Sequence, residues 1–232
     1  QSRSQRMKLP TVDLVAAVPL FLLMAEPHTP MSRTVLPDSP DLADAKAALR
    51  QTAGKRRALL AREQADAGTI LAGHADAIAQ LAEGGIVAGY LPIKSELSPL
   101  ALVAALTAAG VPTAMPVTPP PGHPLIFHRW AVGDPLEDGP YGTRQPPTHL
   151  DVVIPRVVLA PMLAFDDAAR RLGYGGGFYD RTLAGLRADG QQVTAIGIAF
   201  DGQKIESVPT GPYDMPLDGV LTPAGLRLVE MR

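Results

Sequence analysis

Cysteine is absent from the 232 residues, which excludes a disulfide framework, a thiolate nucleophile and Cys-ligated zinc. Charge of one sign is lacking too: the formal net charge is −2, so the chain carries no electrostatic footprint for nucleic acid. The five histidines, His28, His74, His123, His128 and His149, never fall at His-Glu-x-x-His or comparable ligand spacing, which argues against a zinc site. No internal repeat is present. The apolar run over residues 14–25 is broken by Pro19 and is too short to cross a bilayer. With Arg3, Arg6 and Lys8 ahead of it, the run has the outline of a signal-peptide core, but no small-x-small cleavage site follows. Residues 1–40 therefore read as a disordered N-terminal extension, an expression remnant or the product of an upstream start, with Met31 as an ordinary beginning. No membrane and no nucleic-acid partner is expected.

What is present points to one folded domain over residues 41–232. Apolar residues make up 46% of the chain, enough for a sizeable core. The 24 prolines cluster in mid-chain, with Pro119, Pro120, Pro121, Pro146 and Pro147 marking rigid loops and short, interrupted strands. Ala, Leu, Arg and Lys over 41–63, behind Pro40, predict a helix, with Lys46 and Arg50 four apart on one face. A second helix is expected over 65–81, ending at Gly84 and Gly85, and further helices over 99–109 and 178–187. Strands are expected over 86–91, 113–117, 125–130, 157–163, 193–200 and, as the last, 219–221. The near-continuous apolar run of 193–200 is typical of a strand covered on both faces. Helices alternating with buried strands predict an α/β fold: a single three-layer domain with a central, mostly parallel sheet. Ligands in such sheets bind beyond the carboxyl ends of the strands, which directs attention to the loops after Leu91, Leu163 and Phe200.

One of those loops leads to Arg171-Leu172-Gly173-Tyr174-Gly175-Gly176-Gly177-Phe178-Tyr179-Asp180. Glycines permit positive φ and close ligand approach, and a glycine run entering a helix presents N–H groups at its positive end, a cradle for phosphate. Arg171 adds a bidentate cation and Asp180 a hard oxygen for Mg²⁺. On the glycines alone a plain turn is the simpler reading, and Asp180 alone reads equally as a helix-start carboxylate favoured by the dipole. The spacing is neither a Walker A loop nor a dinucleotide fingerprint.

Taken with Ala164-Phe165-Asp166 upstream, the string closely resembles the signature of the 5-formyltetrahydrofolate cyclo-ligase family. The resemblance runs over residues 42–222. Lys46-Ala47-Ala48-Leu49-Arg50 is similar to the family's ATP-phosphate-binding Lys-x-x-Leu-Arg. The stretch from Tyr90 to Leu97 is similar to its folate-binding segment, and Asp214 to Asp218 to its metal-binding loop. The resemblance implies ATP-dependent closure of 5-formyltetrahydrofolate to 5,10-methenyltetrahydrofolate, with Mg²⁺ as cofactor and ADP and phosphate as products. It implies a cytoplasmic monomer. It assigns ATP to Lys46, Arg50, Arg171, Leu172, Gly173, Tyr174, Gly175, Gly176, Gly177 and Tyr179. Folate falls to Leu91, Glu96, Tyr174 and the glycines 175–177, catalysis to Arg171 and Tyr179, and metal to Asp180 and Asp214. Tyr213 replaces the family's usual histidine, and Gly176 a lysine of animal relatives. Arg156 and the altered loop around Arg144 are departures expected to bear on the folate pocket. Two alternatives stay open: a same-fold nucleotide-binding paralogue without folate activity, and a sugar-phosphate isomerase that does not use ATP.

Overall fold

Ser39 opens the first helix, its Oγ accepting from the Leu42 amide at 3.4 Å while Pro40 supplies a preset φ at the first helical position. The computed structural model describes residues 38–229, so the readings of residues 1–37 lie outside the described residues. In chain order the helices are α1 (Pro40–Glu63), α2 (Ala67–Ile70), α3 (Ala75–Ala82), α4 (Leu100–Ala108) and α5 (Phe178–Ala188). The strands are β1 (Val87–Ala88), β2 (Thr113–Val117), β3 (Ile126–Arg129), β4 (Glu137–Asp138), β5 (Arg144–Gln145), β6 (Val152–Val153), β7 (Val157–Pro161), β8 (Ala164–Phe165), β9 (Arg171–Leu172), β10 (Thr194–Ile198), β11 (Gly219–Thr222) and β12 (Gly225–Leu228).

Eight strands form the main sheet in the order β12-β11-β10-β7-β1-β2-β3-β6. From β11 to β2 neighbouring strands pair parallel, and β12, β3 and β6 pair antiparallel with their neighbours at the two ends. Alternation along the strands separates two cores. Val87, Met115, Val157, Leu159, Ile196 and Ile198 pack with Leu71, Ile78, Leu102 and Leu106 of the α2–α4 layer. Ala88, Ala114, Val158, Ala160 and Ala195 face the other way, with Leu183 of α5. Small residues on the second face let α5 lie close to the sheet. This is the expected three-layer α/β fold.

Several elements differ from expectation. The helix expected over 65–81 is split: α2 and α3 are separated by a 3-10 turn, Leu71–His74, and α3 ends where Glu83 takes a left-handed φ of 49°. The 86–91 strand shortens to β1, because its chain turns away after Ala88 to build the loop that carries Glu96. The 219–221 strand is not the last: β12 folds back on it antiparallel. Among the described residues no helix is long and apolar enough to cross a membrane.

Candidate functional site

The connection from β1 leads to β2 on one side of the sheet, whereas β7 leads towards β10 on the other. Strand order therefore reverses between β1 and β7, and the loops leaving their carboxyl ends part to leave a crevice. The loop after β1 brings Tyr90, Leu91, Lys94 and Glu96. The segment after β7 passes through the β8–β9 hairpin into the glycine run and α5. Asp166, fully buried, holds that hairpin's turn: its carboxylate accepts from the amides of Ala168, Arg170 and Val208 at 2.9–3.1 Å and from Arg170 Nε at 2.7 Å.

α1 lies along these loops with one stripe inward. Lys46, Ala53 and Arg57 on that stripe are buried, and Arg50 between them is half-buried. Arg50 Nε donates to the Gly173 carbonyl at 3.0 Å. A Cβ on Gly175 would sit 3.2 Å from the Arg50 guanidinium carbon, and Gly175 has φ 96°. Gly177 has φ 66° and is the N-cap of α5, with no side chain capping the helix start. The first-turn N–H groups of α5 thus have no intrahelical partner. Gly176 is not among the positive-φ glycines, so within the run only Gly175 and Gly177 use the backbone freedom expected of it. What crowds Gly176 is the Phe178 ring, 3.0 Å from where a Cβ would stand.

The cations are unequally committed. Lys46 Nζ donates to Asp214 Oδ2 at 2.6 Å and to Asp38 Oδ2 at 2.7 Å. Burial alone would pull this lysine down, but the two carboxylates outweigh it and hold the ammonium above its ordinary range. Arg171 Nη2 donates to Asp180 Oδ1 at 2.6 Å, and its Nη1 to the Met215 carbonyl at 2.7 Å. Arg50 has no carboxylate within ion-pair distance among the described residues.

Asp180 and Asp214 sit on adjoining segments, since the Met215 amide donates to Asp180 Oδ1 at 3.0 Å. All bonds to Asp180 fall on Oδ1, and those to Asp214, from Lys46 and the Gly211 amide, fall on Oδ2. Each carboxylate keeps one oxygen uncommitted among the described residues. No group of three or more His, Cys, Asp or Glu gathers among those residues, but magnesium asks for only one or two carboxylates beside substrate phosphates. In donor type, two carboxylates with one uncommitted oxygen each suit that ion.

Of the folate candidates, Leu91 and Glu96 lie on the other wall, while Tyr174 and the glycines 175–177 belong to the wall of the glycine run. Glu96 Oε2 accepts from the Ile93 amide at 2.9 Å, and its side chain is only 4% exposed, so it is no surface glutamate. Burial raises its carboxyl above the usual range, against the pull of the Ile93 amide, Arg57 and Lys94. Leu91 is half-buried and packs on the core beside it. Tyr179, close enough to feel Glu96 and Arg171, is pushed far up by burial and stays protonated at neutral pH.

Arg57 and Lys94 were not singled out from sequence, and Asp166 was read only as part of the signature string, with no role of its own. Arg57 and Arg50 line an open cavity of about 420 Å³ with Lys94, Ser95, Leu163 and Tyr174. The signal for Arg57 was its spacing, seven residues after Arg50 on the stripe that also holds Ala53. One departure falls away from the crevice. Arg156 precedes β7, at the opposite end of the strands, and binds Gln192 and Glu83. Arg144 is exposed on the β4–β5 hairpin, against Leu136 and Asp138.

Comparison with known proteins places this architecture. The profile of the 5-formyltetrahydrofolate cyclo-ligase family matches residues 43–223. The 5-formyltetrahydrofolate cyclo-ligase of Escherichia coli K12 is 32% identical over 182 residues, 73% of this chain and 95% of its own length. That of Haemophilus influenzae is 30% identical over 171 residues, covering 72% and 90%. The NMR structure of Aquifex aeolicus 5,10-methenyltetrahydrofolate synthetase shares the fold, with TM-score 0.65 and 24% identity over 79% of this chain and 92% of that one. The Mycoplasma pneumoniae 5,10-methenyltetrahydrofolate synthetase superposes with TM-score 0.57 at 25% identity, covering 77% and 98%. With the profile spanning both walls of the crevice and these relatives matched along nearly their whole length, the chain belongs to the 5-formyltetrahydrofolate cyclo-ligase family.

Proposed function

We propose that this chain closes 5-formyltetrahydrofolate to 5,10-methenyltetrahydrofolate at the expense of ATP, as a cytoplasmic monomer whose catalytic domain is residues 41–232. The observation that carries the reading is the two-walled crevice: an uncapped helix start with an unpaired arginine on one wall, a buried carboxylate on the other. The phosphates of ATP lie against the amides of Gly175 to Tyr179, with Arg50 neutralising charge, Leu172 and Gly173 flanking the nucleotide, and Tyr174 exposed on the cavity between nucleotide and folate. The pterin lies over Leu91, its amino and N–H edge donating to Glu96.

The formyl oxygen attacks the γ-phosphorus and ADP leaves. N10 of the same substrate then attacks the formyl carbon, the carbon–oxygen bond breaks, phosphate departs, and the N10 proton passes to solvent. Such chemistry needs in-line positioning and charge neutralisation, and no side-chain nucleophile. Arg171, fixed by Asp180 and the Met215 carbonyl, orients the loop and faces the transferred group. Tyr179, which stays protonated, donates a hydrogen bond and does not act as base. Asp180 and Asp214 would hold Mg²⁺ through their uncommitted oxygens. Bound there, the ion neutralises charge on the phosphates.

The test is the near-ultraviolet absorbance of methenyltetrahydrofolate, followed with purified protein, 5-formyltetrahydrofolate and MgATP. Product should form only when ATP is present. Folate-independent ATP hydrolysis, or no product at all, would overturn the reading in favour of a paralogue.

A further inference from the structure

We infer that Arg57 is a positioning residue of the folate subsite, its buried guanidinium locking Tyr174 of the glycine run and the turn carrying Ser95 and Glu96 into one geometry. The inference rests on the folate reading of Glu96 given above.

Arg57 is 2% exposed and reaches both loops that flank the switch point. Its Nε donates to Ser95 Oγ at 3.2 Å, its Nη1 to the Met162 carbonyl at 3.2 Å, and its Nη2 to the Tyr174 hydroxyl. Glu96 Oε1 stands 3.9 Å from Nη1, the only carboxylate paired with this cation among the described residues. The charge is therefore mostly satisfied by neutral oxygens. An apolar side chain in its place leaves the buried Glu96 carboxylate and these oxygens without their donor, a loss that costs stability as well as geometry. What an apolar side chain cannot do is span two walls with a planar fork of donors.

The two things it holds are the two that the substrate meets. Tyr174 is 43% exposed on the cavity, with Arg57 Cζ 5.2 Å and Lys94 Nζ 5.1 Å from its ring centre, so the ring is placed by cations and by its hydroxyl. Glu96 is faced by Arg57 from α1, by Lys94 and Tyr90 from its own loop, and by Tyr179 from α5. Arg57 and Lys94 are the cations among these. Removing the Arg57 charge raises the Glu96 carboxyl further, so the ionised form that accepts from the pterin disappears at a higher pH. Arg57→Lys keeps the charge and loses the fork, which separates the two effects.

The experiment measures turnover and the KM for each substrate from about pH 5 to 9 in the unaltered enzyme, Arg57→Lys, Arg57→Met and Tyr174→Phe. Both Arg57 variants should raise the folate KM by about tenfold or more while the ATP KM moves less than about threefold. The pH below which folate affinity falls should rise in Arg57→Met and stay in place in Arg57→Lys. Tyr174→Phe, an exposed change, should raise the folate KM in the unaltered background and add nothing to Arg57→Met. Equal losses for both substrates, or an unmoved pH midpoint in Arg57→Met, overturn the inference. If Arg57→Met fails to fold, the other two variants decide: an unchanged folate KM in both overturns it. Indifferent Arg57 variants in an active enzyme remove the inference alone. An unaltered enzyme that binds no folate removes the folate reading and the inference with it.

Discussion

Arg50 and Lys46 share a helix face, yet they meet an incoming phosphate in different states. Lys46 is already held by Asp38 and Asp214, whereas Arg50 spends one donor on a carbonyl and has no carboxylate within ion-pair distance among the described residues. Arg50→Ala should therefore lower kcat/KM for ATP by about 10- to 150-fold, equivalent to about 1.5–3 kcal/mol for a lost hydrogen bond to a charged group. Steady-state kinetics at saturating folate measure it. A silent Arg50→Ala beside a crippling Lys46→Ala would put the phosphates at Lys46. Glu96 gives a second expectation, in which stability and function part. Its folded-state carboxyl is raised, first by burial, so the ionised form is a cost that is absent below the unfolded value and grows as pH rises through the folded one. Glu96→Gln removes that cost: it should melt at or above the unaltered enzyme at pH 7, with the gain fading as pH falls, while folate affinity drops about tenfold or more. Differential scanning at several pH values, beside folate titration, checks both limbs, and a destabilised Glu96→Gln contradicts the sign. The glutamate was legible because its segment resembles a family motif. Arg57 was not, because an arginine two places from Lys55 and next to Arg56 reads as one of a solvated cluster until the helix is seen to turn it inward.

At the scale of elements, the long or fully apolar segments were the legible ones. The strand over 113–117 and the helix behind Pro40 come out almost as read, because a helix start at Ser39 and Pro40 followed by strong helix formers, and five strand residues of which four are buried, each leave a local signal. Of the six two-residue strands, β4, β5, β6, β8 and β9 leave no such signal; they exist because neighbouring backbone finds them. The β8–β9 hairpin matters most, since it delivers Arg171 and the glycine run, and its residues were legible as a motif but not as paired strands. The glycine run is the element whose backbone tests the site. Gly175, with φ 96° and its Cα against Arg50, cannot take a side chain without both backbone strain and a displaced guanidinium. Strain of that kind costs on the order of 1–3 kcal/mol. Gly175→Ala should cut kcat/KM for ATP by about tenfold or more, whereas Gly176→Ala, free of the positive φ, should cost less. Near-equal losses at the two positions would mean that the loop works through its length, not through the shape of Gly175.

For the molecule as a whole, ligand binding is the property that joins crevice to fold. Its two walls are carried by the loops of β1 and β7, which sit side by side in the middle of the sheet, and α1 bridges them through Arg50 and Arg57. A ligand that engages both walls adds its binding free energy to a single cooperative unit. At about 100 times its dissociation constant MgATP should contribute about 2.7 kcal/mol. For a chain of this length that corresponds to a rise in Tm of about 5–11 °C. The metal enters the same measurement. Asp180 and Asp214 present carboxylates towards the place where the phosphates are proposed to lie, and Lys46 and Arg171 already answer only one oxygen of each. With magnesium chelated, the uncommitted oxygens face the triphosphate with no cation between, and repulsion should shrink the ATP-induced shift to a fraction of its MgATP value. Asp180→Asn with Asp214→Asn relieves that repulsion: in the double variant the shift produced by ATP should become nearly independent of magnesium. A thermal-shift series with ATP and EDTA reads both effects. If ATP stabilises the unaltered chain equally with and without magnesium, the two aspartates are structural partners of Lys46 and Arg171 and nothing more.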